Sequence, residues 1–134
     1  MRRIHAAHFF PFIGGGTVIG LDGSGNMKSR ERYAVVFVTV PGRKEGRKIA
    51  SGIIESRLAA CVNIIDKVES HYRWLGKVET AQECLLIIKT KSSLSEKLIG
   101  KIRRMHSYSV PEIIFFTVAG GDPHYLEWIG DETA

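Results

Sequence analysis

Imidazole, thiol, carboxylate and ammonium groups are the side chains able to do chemistry in this chain, and their spacing limits what they do. There are five histidines and two cysteines. Imidazole and thiolate suit Cu(I), Cu(II) or Zn(II), but the sequence holds no C-x-x-C and no H-x-x-x-H pair. A metal site using Cys61 or His106 must recruit donors distant in sequence or from another subunit. Both residues also have plainer roles open to them. Cys61 and Cys84 sit in apolar runs and read as small buried hydrophobes, a usage suited to a reducing compartment. His106, between a helix and Tyr108, is placed to anchor a loop by hydrogen bonds. Cys61 and His106 can be drawn as a catalytic pair, but no glycine-rich elbow or oxyanion signature flanks either. The expectation is a protein that is not an enzyme.

Tyr72, Trp74, Lys89, Tyr108 and Glu112 supply charge, hydrogen bonds and aromatic walls, the mixture found in a cleft for a small anionic ligand. The competing reading is interface packing by Tyr72, Trp74, Tyr108, Tyr125 and Trp128, since aromatics are enriched there. Lys89 closes an apolar run, so its ammonium must reach solvent or a carboxylate. Two phosphate-loop lookalikes fail. In Gly14-Gly15-Gly16-Thr17-Val18-Ile19-Gly20 the last glycine falls one place late, and Met27 stands before Lys28-Ser29 where a glycine is required.

The elements that must position these groups alternate in type. Tyr33–Val40 is β-branched and aromatic and stops at Pro41-Gly42, as a buried strand does. Residues 44–58 carry Ile49, Ile53, Ile54 and Leu58 as one helical stripe. Arg43, Lys44, Arg47 and Lys48 crowd the start of that helix against its dipole, either as a solvated basic face or as an anion-facing rim. Residues 59–74 and 77–90 form two strands around a Leu75-Gly76 turn. Ser93-Leu94-Ser95-Glu96 has the pattern of a capping box before a helix carrying Leu94, Leu98, Ile99, Ile102 and Met105. Glu112–Val118 is a fourth strand. Asp122-Pro123 caps a short last helix, closed by Gly130. The order β-α-β-β-α-β plus a small helix predicts an α+β, ferredoxin-like fold, with right-handed crossovers wherever helices join parallel neighbours.

A chain of 134 residues, 44% apolar and 25% charged, is long enough for one modest core. The reading is a flexible or weakly ordered tail over 1–31, holding 6 of the 14 glycines, followed by one domain over 32–134. His8 and Pro11 interrupt any secretory apolar run, and no stretch approaches a membrane span. The expected location is cytoplasmic, with an organelle-targeting leader as the alternative role of the acid-poor tail. The formal charge of +5 does not make a nucleic-acid binder: residues 32–134 carry 15 basic against 12 acidic side chains, and residues 77–90 contain no aromatic for base stacking.

Each arm of the central hairpin, with about 14–16 residues, would reach roughly 45–50 Å. A compact domain of this size is only about 35 Å wide. The hairpin must bend, for which Asp66-Lys67 is the natural place, or project and pair with a neighbour, since exposed apolar strand edges have to be covered. That predicts a homo-oligomer.

Five ordered blocks then carry a family resemblance. Leu58-Ala59-Ala60-Cys61-Val62-Asn63-Ile64-Ile65 and Ser70-His71-Tyr72-Arg73-Trp74-Leu75-Gly76-Lys77 resemble signatures of the CutA divalent-cation tolerance family. So do the run Leu85 to Thr90, the segment His106-Ser107-Tyr108-Ser109-Val110-Pro111-Glu112-Ile113, and Tyr125-Leu126 with Trp128. The resemblance spans roughly residues 33–129 and implies a ferredoxin-like subunit in a tight homotrimer, similar to PII signalling proteins. It also implies a role in copper tolerance or copper binding, and a small intersubunit pocket; in mammalian relatives it implies an association with acetylcholinesterase assembly. No cofactor is required on this reading, and copper(II) is the candidate metal. Ser107 and Ser109 depart from the family's proline and glutamate. The cysteine that some relatives carry at the end of the first strand is absent from Phe37-Val38-Thr39-Val40. The ligands left are His106 and Cys61, with Glu112 or His71 as helpers. Tyr72, Trp74, Lys89 and Tyr108 remain the pocket candidates, and Trp74, Tyr125 and Trp128 the interface candidates. No nucleic acid and no membrane insertion are expected.

Overall fold

The computed structural model describes residues 19–21, 27–29 and 31–134. Most of the expected tail and leader, residues 1–31, lies outside the described residues. What is described of it is a pair of three-residue strands, β1 (Ile19–Leu21) and β2 (Met27–Ser29), antiparallel to each other in a sheet of their own.

The domain proper follows the predicted order: β3 (Tyr33–Val40), α1 (Arg43–Glu55), β4 (Cys61–Trp74), β5 (Lys77–Lys91), α2 (Ser95–Met105), β6 (Ile113–Thr117) and α3 (Pro123–Asp131). The four long strands form one sheet in the order β4-β5-β3-β6, and every neighbouring pair is antiparallel. The expectation about parallel neighbours is corrected here. Strands joined by a helix do not pair: β5 lies between β3 and β4, and β3 lies between β5 and β6. This is the four-stranded α+β arrangement that the βαββαβ order predicts.

Val36, Val38 and Val40 of β3 and Leu86 and Ile88 of β5 pack on one face against Ile49 and Ile53 of α1 and Leu98 and Ile102 of α2. All nine are fully buried. Gly46 lets α1 sit close to the sheet, because a Cβ there would stand 3.3 Å from both Leu86 and Val40. The other face carries Val35, Phe37, Leu85 and Ile87, only half-buried, together with Ile65, Ile114 and Phe116, which are exposed.

The capping box does not form. The chain leaves β5 through a 3-10 turn, Ser92–Leu94, so α2 starts at Ser95, with Leu94 in the cap position and no side-chain cap bond. Ser93 falls inside that turn, and Leu94 is buried. At α3 the predicted cap holds: Asp122 accepts from the His124 amide at 3.1 Å, and Pro123 opens the helix. Gly130 does not close α3, which runs on to Asp131; the Tyr33 hydroxyl lies 3.3 Å from where a Cβ would stand at that glycine. Among the described residues no helix is long and apolar enough to cross a membrane.

The β4–β5 hairpin is as long as the sequence requires, with 14 and 15 residues in its arms. It is broken at the expected place. Between the Ile65–Leu85 and Val68–Glu83 pairs, Asp66 and Lys67 stand opposite Cys84 alone, and Lys67 has φ 60°. That is a β-bulge, which bends a strand and increases its twist.

Candidate functional site

At the far end of the hairpin, Leu75 (φ 49°) and Gly76 (φ 78°) make a two-residue turn with both central residues left-handed, matching the natural strand twist. The strand before it alternates, with Ser70, Tyr72 and Trp74 half-buried and Glu69, His71 and Arg73 exposed. Val110, Pro111 and Glu112, from the segment between α2 and β6, face this strand across an open cleft of about 570 Å3. Within it His71 Nε2 lies 3.1 Å from Glu69 Oε2, and His71 Nδ1 lies 3.4 Å from Thr80 Oγ1.

A buried set of polar contacts fixes the segment that carries Glu112. The His106 amide closes α2 on the Ile102 carbonyl at 2.9 Å. Its Nε2 is 2.8 Å from the Thr39 carbonyl oxygen, which only accepts, while its Nδ1 accepts from the Tyr108 amide at 3.0 Å. Those partners assign the neutral imidazole with the proton on Nε2. Glu45 stands 3.5 Å from Nδ1 and accepts from the Ser107 amide at 3.2 Å. The Tyr108 hydroxyl donates to Glu83 Oε2 at 2.9 Å, and both side chains are buried. A metal ion on His106 would have to displace the Thr39 carbonyl or the Tyr108 amide.

Lys89 and Cys61 lie elsewhere. They face each other across the β4–β5 ladder, twelve positions along β5 from the Lys77–Trp74 pair, or about 40 Å at 3.3 Å per residue. Lys89 Nζ donates to the Asn63 side-chain oxygen and lies 3.8 Å from Cys61 Sγ. The Tyr125 phenol is held above its ordinary range by burial first and then by the neighbouring Cys61. Its ring lies 5.6 Å from that of Trp128, and both are exposed.

The sequence candidates therefore divide into three places. Tyr72, Trp74 and Glu112 share the cleft. Tyr108 joins His106 in the anchor behind it. Lys89, Cys61 and Tyr125 sit at the far end of the sheet. His106, Cys61 and Glu112 are not brought together within one chain, and among the described residues no three His, Cys, Asp or Glu side chains converge to hold a metal ion. A second cleft, of about 550 Å3 between Tyr33, Thr117, Gly120 and Leu126, contains none of the candidates.

Sequence reasoning passed over Glu83 and named Asp66 only as a bend. Asp66 accepts from Arg43 Nε at 2.7 Å, from the Lys67 amide at 2.8 Å and from Cys84 Sγ at 3.2 Å. The Cys84 hydrogen bond, then the Lys67 amide, hold its carboxyl below the usual range. Burial, then Asp66, pushes the Cys84 thiol up. A signal for Glu83 was present in the sequence, since it is the one carboxylate abutting the apolar run Cys84–Ile88.

The model of the CutA1 divalent ion tolerance protein family matches residues 34–132. The chain is 50% identical over 99 residues to the chloroplastic protein CutA of Arabidopsis thaliana, covering 74% of this chain and 54% of that one. It thus spans about half the length of that plant relative. It is 43% identical to the divalent-cation tolerance protein CutA of Thermus thermophilus, covering 74% of this chain and 96% of that one. Among solved structures, CutA1 from Oryza sativa superposes with a TM-score of 0.75 at 47% identity, over 77% of this chain and 94% of that one. Continuous coverage of β3 through α3, at this identity and with this fold, means that the chain belongs to the CutA1 divalent ion tolerance family.

Proposed function

We propose that this protein acts in divalent-cation tolerance, copper included, as a homotrimer without enzymatic activity, and that any metal site is completed across a subunit boundary. The observation that carries the assembly is the uncovered face of the sheet. Ile65, Ile114 and Phe116 on that face, with Tyr125 and Trp128 on α3, are all more than 40% exposed, and large apolar side chains left exposed in number mark an interaction surface. The long hairpin adds an edge strand, β4, able to pair with a neighbour. The composite metal site follows from the scatter of donors: Cys61 lies half-buried on the uncovered face, while His71 with Glu69 is accessible at the hairpin end.

The test is native mass spectrometry of the full chain with and without Cu(II), using Cys61→Ser and His71→Ala variants and His106→Ala as the buried control. Three subunits with stoichiometric copper, lost in Cys61→Ser or His71→Ala, support the reading. Monomers at micromolar protein overturn the assembly, and copper binding unchanged in all three variants overturns these donors. The cleft at Trp74 favours a second reading, a PII-like sensor of a small ligand. Three subunits that take up no specific copper would leave that one standing.

A further inference from the structure

The cleft at the end of the hairpin is lined by aromatic rings and carboxylates, and the lysine expected there is absent. With Lys89 paired to Cys61, seven to twelve positions along β5 from the strand pairs of the cleft and so roughly 23–40 Å away, the charged groups lining the cleft are Glu69, Glu112 and Arg73. The balance of those three is negative, in a chain whose overall formal charge is +5. Among the described residues Glu112 has no ion-pair partner, while Glu69 is engaged by His71.

From this juxtaposition we infer that the cleft binds a small organic ammonium ion, held between the faces of Trp74 and Tyr72 and the carboxylate of Glu112. An aromatic face attracts a cation within about 6 Å of its centre through the ring quadrupole, and a carboxylate supplies the opposing charge. A bare divalent ion is the poorer fit. It needs several donors at about 2 Å, and no such convergence exists among the described residues. An ammonium carrying alkyl groups is larger, needs only one carboxylate as its counter-charge, and gives the rings apolar surface to cover. A volume of about 570 Å3 lies within the usual range for small-ligand clefts. The inference sharpens the ligand-sensing reading above and reverses the sign of ligand expected from sequence.

Isothermal titration of the full chain with tetramethylammonium chloride and, separately, n-butylammonium chloride, against sodium chloride of equal ionic strength, tests it. Either cation is expected to bind saturably, the stronger of the two giving the class of amine. Glu112→Gln should weaken that binding about tenfold, as loss of one charged contact does, whereas Glu69→Gln, on the other face of the strand, should leave it unchanged. Subunit counts by native mass spectrometry on the same samples separate a failure of assembly from a failure of binding. No saturable response to either ammonium, equal affinity in Glu112→Gln, or saturable binding of inorganic phosphate competed away by neither ammonium would each overturn the inference.

Discussion

The two halves of the β4–β5 hairpin have the same backbone and opposite surroundings. In the near half, Leu86, Ile88 and Thr90 are fully buried beneath two helices. In the far half, Val78 is 70% exposed and Leu75 77% exposed, and the nearby wall is the single segment 110–112. Pairing alone therefore does not make a hairpin half stable. The near half is held by the helices packed on it, whereas in one chain the far half has little beyond its ladder hydrogen bonds and one anchored loop.

The largest effect should come from breaking the near half. Leu86→Ala deletes a fully buried side chain and should cost about 2–5 kcal/mol of stability. Val78→Ala in the far half should cost under about 0.5 kcal/mol in a single chain. Denaturant midpoints of both variants measure the contrast; equal losses would mean that the arm is covered as thoroughly as the core. Next in size, Trp74→Ala should weaken the proposed trimer by about 2 kcal/mol or more, read as subunit dissociation on dilution. A trimer unchanged at nanomolar protein would remove Trp74 from the interface. The smallest effect belongs to the joint between the halves. Asp66 has a folded-state pKa below its unfolded value, through Cys84 first and the Lys67 amide second. Its stabilisation is thus fully present above the unfolded carboxylate value of about 4 and is lost as pH falls through the lower folded value. The stability difference between wild type and Asp66→Asn should therefore be flat near neutrality and shrink in acid. A difference that grows on acidification would contradict it.

Much of this was legible because local signals agreed with the global arrangement. Tyr33–Val40 is legible from its β-branched and aromatic residues and its Pro41-Gly42 stop, the Ile49–Ile53 stripe from helical periodicity, and the bend at Asp66-Lys67 from a polar pair in an apolar run. The capping box at Ser93 misled because its pattern describes a helix entered directly from a loop. Here a buried Leu94 pulls the chain through an extra 3-10 turn, and burial outweighs a cap worth about 1 kcal/mol. Within one chain Lys89 and Trp74 do not share a cleft. Residue type does not report distance along a strand, and the hairpin's length separates side chains that a compact pocket would have gathered. The Glu83–Tyr108 contact joins residues 25 apart, which no local pattern encodes.

The bulge at Asp66-Lys67 also acts as a change of parity. Before it, Val62 and Ile64 stand opposite Ile88 and Leu86, on the side of the sheet beneath the helices. After it, Val68 stands opposite Glu83, an odd-numbered residue sharing its side with Leu85 and Ile87. The even-numbered residues of β4 read as one unbroken alternating stripe from Val62 to Trp74, yet the stripe passes through the sheet at the bulge and continues on the opposite surface. By seating Asp66 and Lys67 together opposite Cys84, the bulge keeps Tyr72 and Trp74 on the side where Tyr108 meets Glu83. Were Asp66 and Lys67 to pair as two ordinary strand residues, strict alternation would carry both aromatic rings to the side of the helices without changing any residue that touches the cleft.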